Sequence, residues 1–234
     1  MDLTNHTLRS YDQQLQHLMR LILEMGAEVR KMVLATKASF RSEDPERAAN
    51  AKAADKHINA LDHRIEEEAT IVLALQNPLA IDLRFVISVL KITGMLERAG
   101  DLAKNTIKRT VKMGAIAPEA AIVKLEIMAD VVVQMLDTAL TAFERTDTAL
   151  ATQVWKRDEE IDNLNREIFV MMQQEMAKSP DNVAPGTHVL FAAKNLERLA
   201  DYITNLAKTV YYVNSGKRAD KAVLKDAEDD AATP

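Results

Sequence analysis

One ten-residue stretch occurs twice, and that repetition limits what the chain can fold into. Leu96-Glu97-Arg98-Ala99-Gly100-Asp101-Leu102-Ala103-Lys104-Asn105 is followed a turn later by Lys108. One hundred residues on stands Leu196-Glu197-Arg198-Leu199-Ala200-Asp201-Tyr202-Ile203-Thr204-Asn205, followed by Lys208. Positions 96, 97, 98, 101, 105 and 108 are identical to 196, 197, 198, 201, 205 and 208, with no gap. A fixed-period echo of this kind marks a duplicated structural unit.

The spacing Glu-x-x-x-Asp-x-x-x-Asn places two carboxylates and an amide in one column of a helix, about 6 Å apart along the axis. Like charges at i,i+4 cost an isolated helix about 0.2–0.5 kcal/mol. Accepting that cost twice, at equivalent places, calls for something positive between the carboxylates: a nearby Arg or Lys, or a metal ion.

The rest of the chain supports helices. Hydrophobic residues make up 47% of the 234, aromatics only 4%, and Gly and Pro number six each, a composition that favours long helices over sheets. The absence of Cys excludes disulfides and thiolate metal ligands. A net charge of −5 argues against general nucleic-acid binding, which needs a basic surface. No run of eighteen apolar residues occurs and the N-terminus lacks a signal-peptide core, so the expectation is a soluble, cytoplasmic protein without a membrane span.

Read in order, apolar residues recur at steps of three and four in six segments. The first runs from Leu8 to Met32 with Gly26 inside it, at a cost of about 1 kcal/mol relative to Ala. Asp44-Pro45 opens the second, which stops near Asn77-Pro78, and Asp82 is the expected N-cap of the third, which ends about Met113-Gly114. Pro118 opens the fourth, Thr146-Asp147 caps a fifth that continues unbroken to about Ser179-Pro180, and the sixth runs from about Thr187 to Asn214-Ser215-Gly216. Each of these helices is about 45 Å long. The expected architecture is all-α: two tandem three-helix bundles related by duplication, over 1–114 and 115–216, with 217–234 a mostly disordered charged tail.

The duplication extends to a second pair of helices. Asp55 and Asn59 in helix two match Asp158 and Asp162 in helix five, again at i,i+4 beside an Ile. Antiparallel neighbours within each half bring Asp55 and Asn59 to Glu97, Asp101 and Asn105, and Asp158 and Asp162 to Glu197, Asp201 and Asn205. The plain alternative is a solvated acidic stripe neutralised by Arg98, Arg198, Lys104, Lys108 and Lys208. The copy in register and the matching pairs favour a cation site. Carboxylate oxygens without Cys or paired His suit Mg²⁺, Mn²⁺ or iron, and ligand type does not choose among them. A di-iron oxidase would use Glu-x-x-His twice, and neither signature contains His. His57 and His63 read as surface or groove-lining residues, although His63 could add a ligand. Met171, Met172 and Met176 read as core filler. Trp155 fits a core position or an interface equally well. No Gly-rich phosphate loop is present.

Asn77-Pro78-x-x-x-Asp82-Leu83-Arg84, followed by the two copies of Glu-Arg-x-x-Asp-x-x-x-Asn, resembles the PhoU family of phosphate-uptake regulators from the first helix to about Gly216. The resemblance implies two three-helix bundles, with multinuclear metal clusters (Fe, Mn, Mg or Zn) on the acidic motifs. Carried over by position, Glu97, Asp101, Glu197 and Asp201 match the metal motif most firmly. Asp55, Asp158 and Asp162 match it on the neighbouring helix, and Asn105 and Asn205 ligate or support. Asn59 departs from the acidic pair and is a poorer ligand, which favours occupancy of the second cluster. The resemblance further implies a non-enzymatic negative regulator of the phosphate-starvation response. Such a protein acts as an expected homodimer between the ATPase subunit of a phosphate ABC transporter and a sensor histidine kinase at the inner membrane face. The readings from other classes are a carboxylate-metal hydrolase or oxidase and a metal-free helical scaffold.

Overall fold

The computed structural model describes residues 9–41, 45–113 and 116–219. Within them the chain forms α1 (Arg9–Ser39), α2 (Pro45–Gln76), α3 (Ala80–Thr110), α4 (Glu119–Arg145), α5 (Thr148–Lys156), α6 (Asp158–Met176) and α7 (Val183–Ser215), with a 3₁₀ turn at Pro180–Asn182 before α7. No strand occurs among the described residues. The expected N-cap Asp44, the residues at 114–115 and the tail from 220 onward lie outside the described residues.

Local chemistry sets most of the boundaries. Pro45 stands at the first position of α2, where its missing N–H costs nothing. The Asp147 carboxylate accepts from the N–H groups of Ala149 and Leu150 and so caps α5. Gly216 takes φ 68° at the end of α7, a left-handed conformation that suits glycine. Asp82 is not the N-cap of α3: that helix starts at Ala80 after Leu79, and Asp82 lies in the first turn, where its charge complements the helix dipole.

The predicted fifth helix is two helices. Arg157 ends α5 with φ −87° and ψ −10° and precedes α6, whose first turn holds Asp158, Glu159 and Glu160. Its guanidinium donates to Gln134 Oε1 on α4 at 2.6 Å and to Glu160 Oε2 at 3.1 and 3.3 Å. That tether holds the break, and three carboxylates gain from the new helix N-terminus.

Helices α1, α2 and α3 pack on one another, as do α4 to α7, and the widest helix–helix interface joins α3 to α7. These two helices run antiparallel, since Arg84 reaches Val213, Thr106 meets Asn195 and Arg109 covers Phe191. Both helices are rich in buried small and branched residues, including Ala99, Ala103, Ile107, Leu199, Ala200, Ile203 and Ala207, and the interface between them belongs to one continuous apolar core. Inside it the Asn195 amide donates to Thr106 Oγ1 at 3.2 Å, which satisfies a buried polar side chain. A second seam joins α1 to α4. A Cβ on Gly26 would stand 2.5 Å from Leu140 Cδ1, so the glycine inside α1 is required by close approach. Arg30 pairs with Asp137 at 2.8 Å and Lys37 with Asp130 at 2.6 Å beside it. Arg41 extends this row to Glu119 and Glu126.

Arg84 has a structural role. Its Nε donates at 3.2 Å to the Val213 carbonyl, one of the acceptors left open at the end of α7. Trp155 is a buried residue tilted against Tyr211 at 5.6 Å, and Met172 is fully buried with Met171 and Met176 packed beside it.

Candidate functional site: two acidic grooves

Each half places an acidic column of a signature helix against a partner helix. In the first half α3 presents Glu97 and Asp101 toward α2, which carries Asp55. Asp55 is buried, and Lys104 comes between the two helices: its Nζ donates to Asp55 Oδ1 at 2.7 Å and to Asp101 Oδ1 at 2.5 Å. The side chains of Lys104 and Asp55 are only 14% and 12% exposed, so the pair is shielded from water. Burial pushes the Asp101 carboxyl up, but the ammonium of Lys104 outweighs it and holds Asp101 below its usual range. Burial pulls the Lys104 ammonium down, and its bonds to Asp101 and Asp55 more than reverse that.

Glu97 sits at the other end of this groove. Its carboxyl is raised, first by burial and then by Asp101, Asp62 and Asp55, despite Arg98 at 3.3 Å. The repulsion identifies Asp62 as a member of the cluster that the signature does not contain. It lies seven residues after Asp55, on the same face of α2, which is the signal that could have found it. Asp62, His63 and Glu66 bring their ligand-type atoms within 4.8 Å of one another. His63 is therefore grouped with Asp62 and Glu66, and both His57 and His63 are exposed. Asn59 is half-buried one turn from Asp55, and Asn105 is exposed. No hydrogen bond joins either amide to the cluster among the described residues.

In the second half Asp158 and Asp162 of α6 face Glu197 and Asp201 of α7. Thr204 holds the position equivalent to Lys104, and its hydroxyl donates to Asp158 Oδ1 at 3.2 Å. A hydroxyl polarises but carries no charge. Burial raises the Asp158 carboxyl; the Thr204 hydrogen bond is the main opposing effect, and the charges of Asp162 and Glu197 add to the rise against Lys208. Asp201 is raised in the same way by burial and then by Glu197, Asp158 and Asp162, with Lys194 opposing. Lys194 Nζ lies 2.5 Å from Glu197 Oε2, outside hydrogen-bonding geometry and on an exposed stem. Asp158 and Asp201 thus feel the charges of Asp162 and Glu197 with no cation bridging across the groove among the described residues. Asn205 is exposed and lines a different cavity, one turn further along α7.

The two grooves differ as candidate metal sites. A divalent cation in the first would have to displace the Lys104 ammonium from two carboxylates. The second offers four oxygen-bearing side chains whose mutual repulsion a cation would relieve, and their hardness suits Mg²⁺, Mn²⁺ or iron. An internal ammonium occupies the first groove between Asp55 and Asp101, and the second groove has none, although among the described residues the only trio of ligand-type side chains drawn within 4.8 Å is Asp62, His63 and Glu66 of the first half.

Comparison with known proteins gives a consistent result. The PhoU domain family matches residues 22–110 and again 125–210. The phosphate-specific transport system accessory protein PhoU homolog of Caulobacter vibrioides is 35% identical over 216 residues, 92% of this chain and 94% of that protein. The protein of the same name from Rhizobium meliloti is 33% identical over 222 residues, 94% of each. Among solved structures, PhoU from Pseudomonas aeruginosa superposes with a TM-score of 0.84 at 28% identity, over 88% of this chain and 100% of that one. The phosphate transport system regulatory protein PhoU from Streptococcus pneumoniae gives 0.80 at 28% identity, over 90% and 99%.

Proposed function

The chain belongs to the PhoU family, and from that premise we propose that it regulates phosphate transport as an adaptor and not as a catalyst. The observation that carries this reading is coverage: relatives named as phosphate-specific transport accessory proteins match across both halves, 94% of their own length. In the finer form of the proposal the chain is a cytoplasmic, homodimeric negative regulator. It links the ATPase subunit of a phosphate ABC transporter to a sensor histidine kinase and damps uptake and signalling when phosphate is plentiful. No helix among the described residues is long and apolar enough to cross a membrane, which accords with action at a membrane face through partners.

The metal-dependent part of the proposal is confined to the second groove. A bound cation supplies positive charge and fixed coordination there. Asp158 and Asp162 would hold it from α6 and Glu197 and Asp201 from α7, which would tie the two helices together. Thr204 orients Asp158 from α7. The first groove holds its helices together without metal, through Lys104. A metal-free scaffold is the second reading, and that same lysine favours it for the first half.

Two measurements test this. Elemental analysis after incubation with Mg²⁺, Mn²⁺, Fe²⁺ or Zn²⁺ and dialysis is expected to find metal in the parent and in Glu97→Gln. Glu197→Gln/Asp201→Asn is expected to lose it. Metal retained by that double variant removes the second-groove assignment. Pull-downs against the transporter ATPase subunit and the kinase test the adaptor role, and contact with neither partner defeats it. If Glu97→Ala and Glu197→Ala leave both contacts intact, the metal-dependent version fails while the adaptor role stands.

A further inference from the structure

A cationic cavity of about 380 Å³ lies between α3 and α7, lined by Lys91 and Met95 from α3, by Asn205, Lys208, Thr209 and Tyr212 from α7, and by Arg218 and Ala219 beyond it. Three cations converge on it, and among the described residues no carboxylate lines it. Among the described residues none of Lys91, Lys208 and Arg218 is held in an ion pair. Lys91 instead lies 5.9 Å from the centre of the Tyr212 ring, and Lys208 acts on Asp158 of the neighbouring groove only through space. By contrast Arg30, Lys37 and Arg41 of the α1–α4 seam are each paired with a carboxylate. Like charges gathered without counter-charge repel one another, and an anion among them removes that repulsion.

The duplicated structure provides an internal control. At the equivalent place in the other half Phe191 stands where Lys91 does, and Arg109 covers its ring at 4.3 Å. Asn195 stands where Met95 does and is engaged with Thr106. The other end keeps Lys108, Arg109 and Lys112 at the places of Lys208, Thr209 and Tyr212, so the two ends differ in Lys91, Met95 and Arg218 and not in carrying positive charge.

We propose that this cavity binds an anion carrying two or more phosphate groups. The chemistry is that of the lining: the Arg218 guanidinium forks to two phosphate oxygens, two ammonium groups act as mobile point charges, and the Asn205 amide and Tyr212 hydroxyl are neutral donors. The size agrees, since small-molecule pockets span about 300–1,000 Å³ and a single orthophosphate would fill little of such a space. The free inorganic chain and the diphosphate of a nucleotide share this chemistry. The proposal is independent of the metal reading because it is tested on chelator-treated protein.

Isothermal titration calorimetry of the full chain, in EDTA at physiological salt, would use tripolyphosphate, pyrophosphate, ADP and orthophosphate as probes. Saturable one-to-one binding of tripolyphosphate is expected, with orthophosphate much weaker. Lys91→Gln and Arg218→Gln each lose about tenfold in affinity, the loss of one charge-assisted contact. Lys52→Gln, an exposed lysine on α2, leaves binding unchanged. Binding of ADP equal to pyrophosphate assigns the site to nucleotides, and binding of the inorganic chains alone assigns it to those. Absence of saturable binding overturns the proposal, as does an equal loss in Lys52→Gln, which would mean diffuse attraction to the surface. Both test residues are exposed, so the variants are expected to fold.

Discussion

In the first half of the molecule the acidic groove closes on an ammonium: Lys104 bridges Asp55 and Asp101. In the second half the same signature meets Thr204, whose hydroxyl reaches Asp158, and the Lys194 ammonium sits at Glu197 on the edge of the groove. The halves share ancestry, helix packing and motif, yet one groove is a completed salt bridge and the other is electrostatically unfinished. The exchange of Lys104 for Thr204 is the central difference, beside Asn59 against Asp162 and Asp62 against Asn165. Duplication leaves the scaffold able to specialise each copy, one for cohesion and one for a ligand.

The largest effect is expected from making the first groove like the second. Lys104→Thr leaves buried Asp55 and half-exposed Asp101 without their counter-charge. Breaking a buried pair costs about 3–5 kcal/mol, and the exposure of Asp101 brings the expected loss toward about 2 kcal/mol. Chemical denaturation in EDTA measures it, and added Mn²⁺ should recover part of the loss in this variant only. The reciprocal change, Thr204→Lys, introduces an ammonium beside Asp158. It should abolish the metal-dependent rise in Tm that the parent shows, a rise worth about 2.7 kcal/mol when metal is one hundred times above Kd. Persistence of the full metal effect in that variant would show that the second groove is not where metal acts.

The next effect is pH dependence, with opposite signs at Asp101 and at the Asp158–Asp201 pair. Asp158 and Asp201 have folded-state pKa values above the ordinary 3.8, so the folded state holds protons more tightly than the unfolded chain. In metal-free protein their contribution to stability falls as pH rises from 3.8 through those raised values, and the penalty persists at neutral pH. Asp101 is depressed, so it contributes stability above 3.8 that is lost as pH falls through its folded value. Asp158→Asn/Asp201→Asn should therefore raise stability at pH 7 in EDTA by about 0.5–1 kcal/mol, discounted for solvent screening, with no gain at pH 3. Asp101→Asn should lower it at pH 7. Thermal melts across pH distinguish the signs. The smallest effect is expected from Asn59→Asp, which supplies the fourth carboxylate that Asp162 provides in the other half. While Lys104 remains, no metal should bind to the first groove of that variant by elemental analysis; combined with Lys104→Thr, it should.

The helices were legible because their apolar residues keep a period of 3.6 over thirty residues, and the doubled signature could be read without any structure. The break at Arg157 was hidden because Leu150, Val154, Ile161 and Leu164 stay in helical phase across it; the tether to Gln134 on α4 is a tertiary contact. Asp82 was misplaced by a few residues, since an acidic residue serves equally as a cap or in the first turn. Asp55, Glu97 and Asp101 could be grouped from spacing alone. Which cation stands among them could not, because Lys104 and Arg98 are both near in sequence and the choice depends on where α2 lies. Asp62 was passed over because its counterpart in the other half is Asn165, so the repeat gave it no emphasis.

The antiparallel pairing of α3 with α7 has a consequence for the making of the protein. The residues that meet there are separated by about a hundred positions, Arg109 and Phe191 by fewer and Arg84 and Val213 by more. On a ribosome working at about 5–20 residues per second, the face of α3 that α7 will cover emerges roughly 5–20 seconds before its partner exists. Thr106, buried in the finished protein beside Asn195, and Arg109, which covers Phe191, lack those partners for that interval. The nascent chain is thus a client for a chaperone at a defined length, and pausing translation ahead of residue 183, where α7 starts, would lengthen its vulnerability.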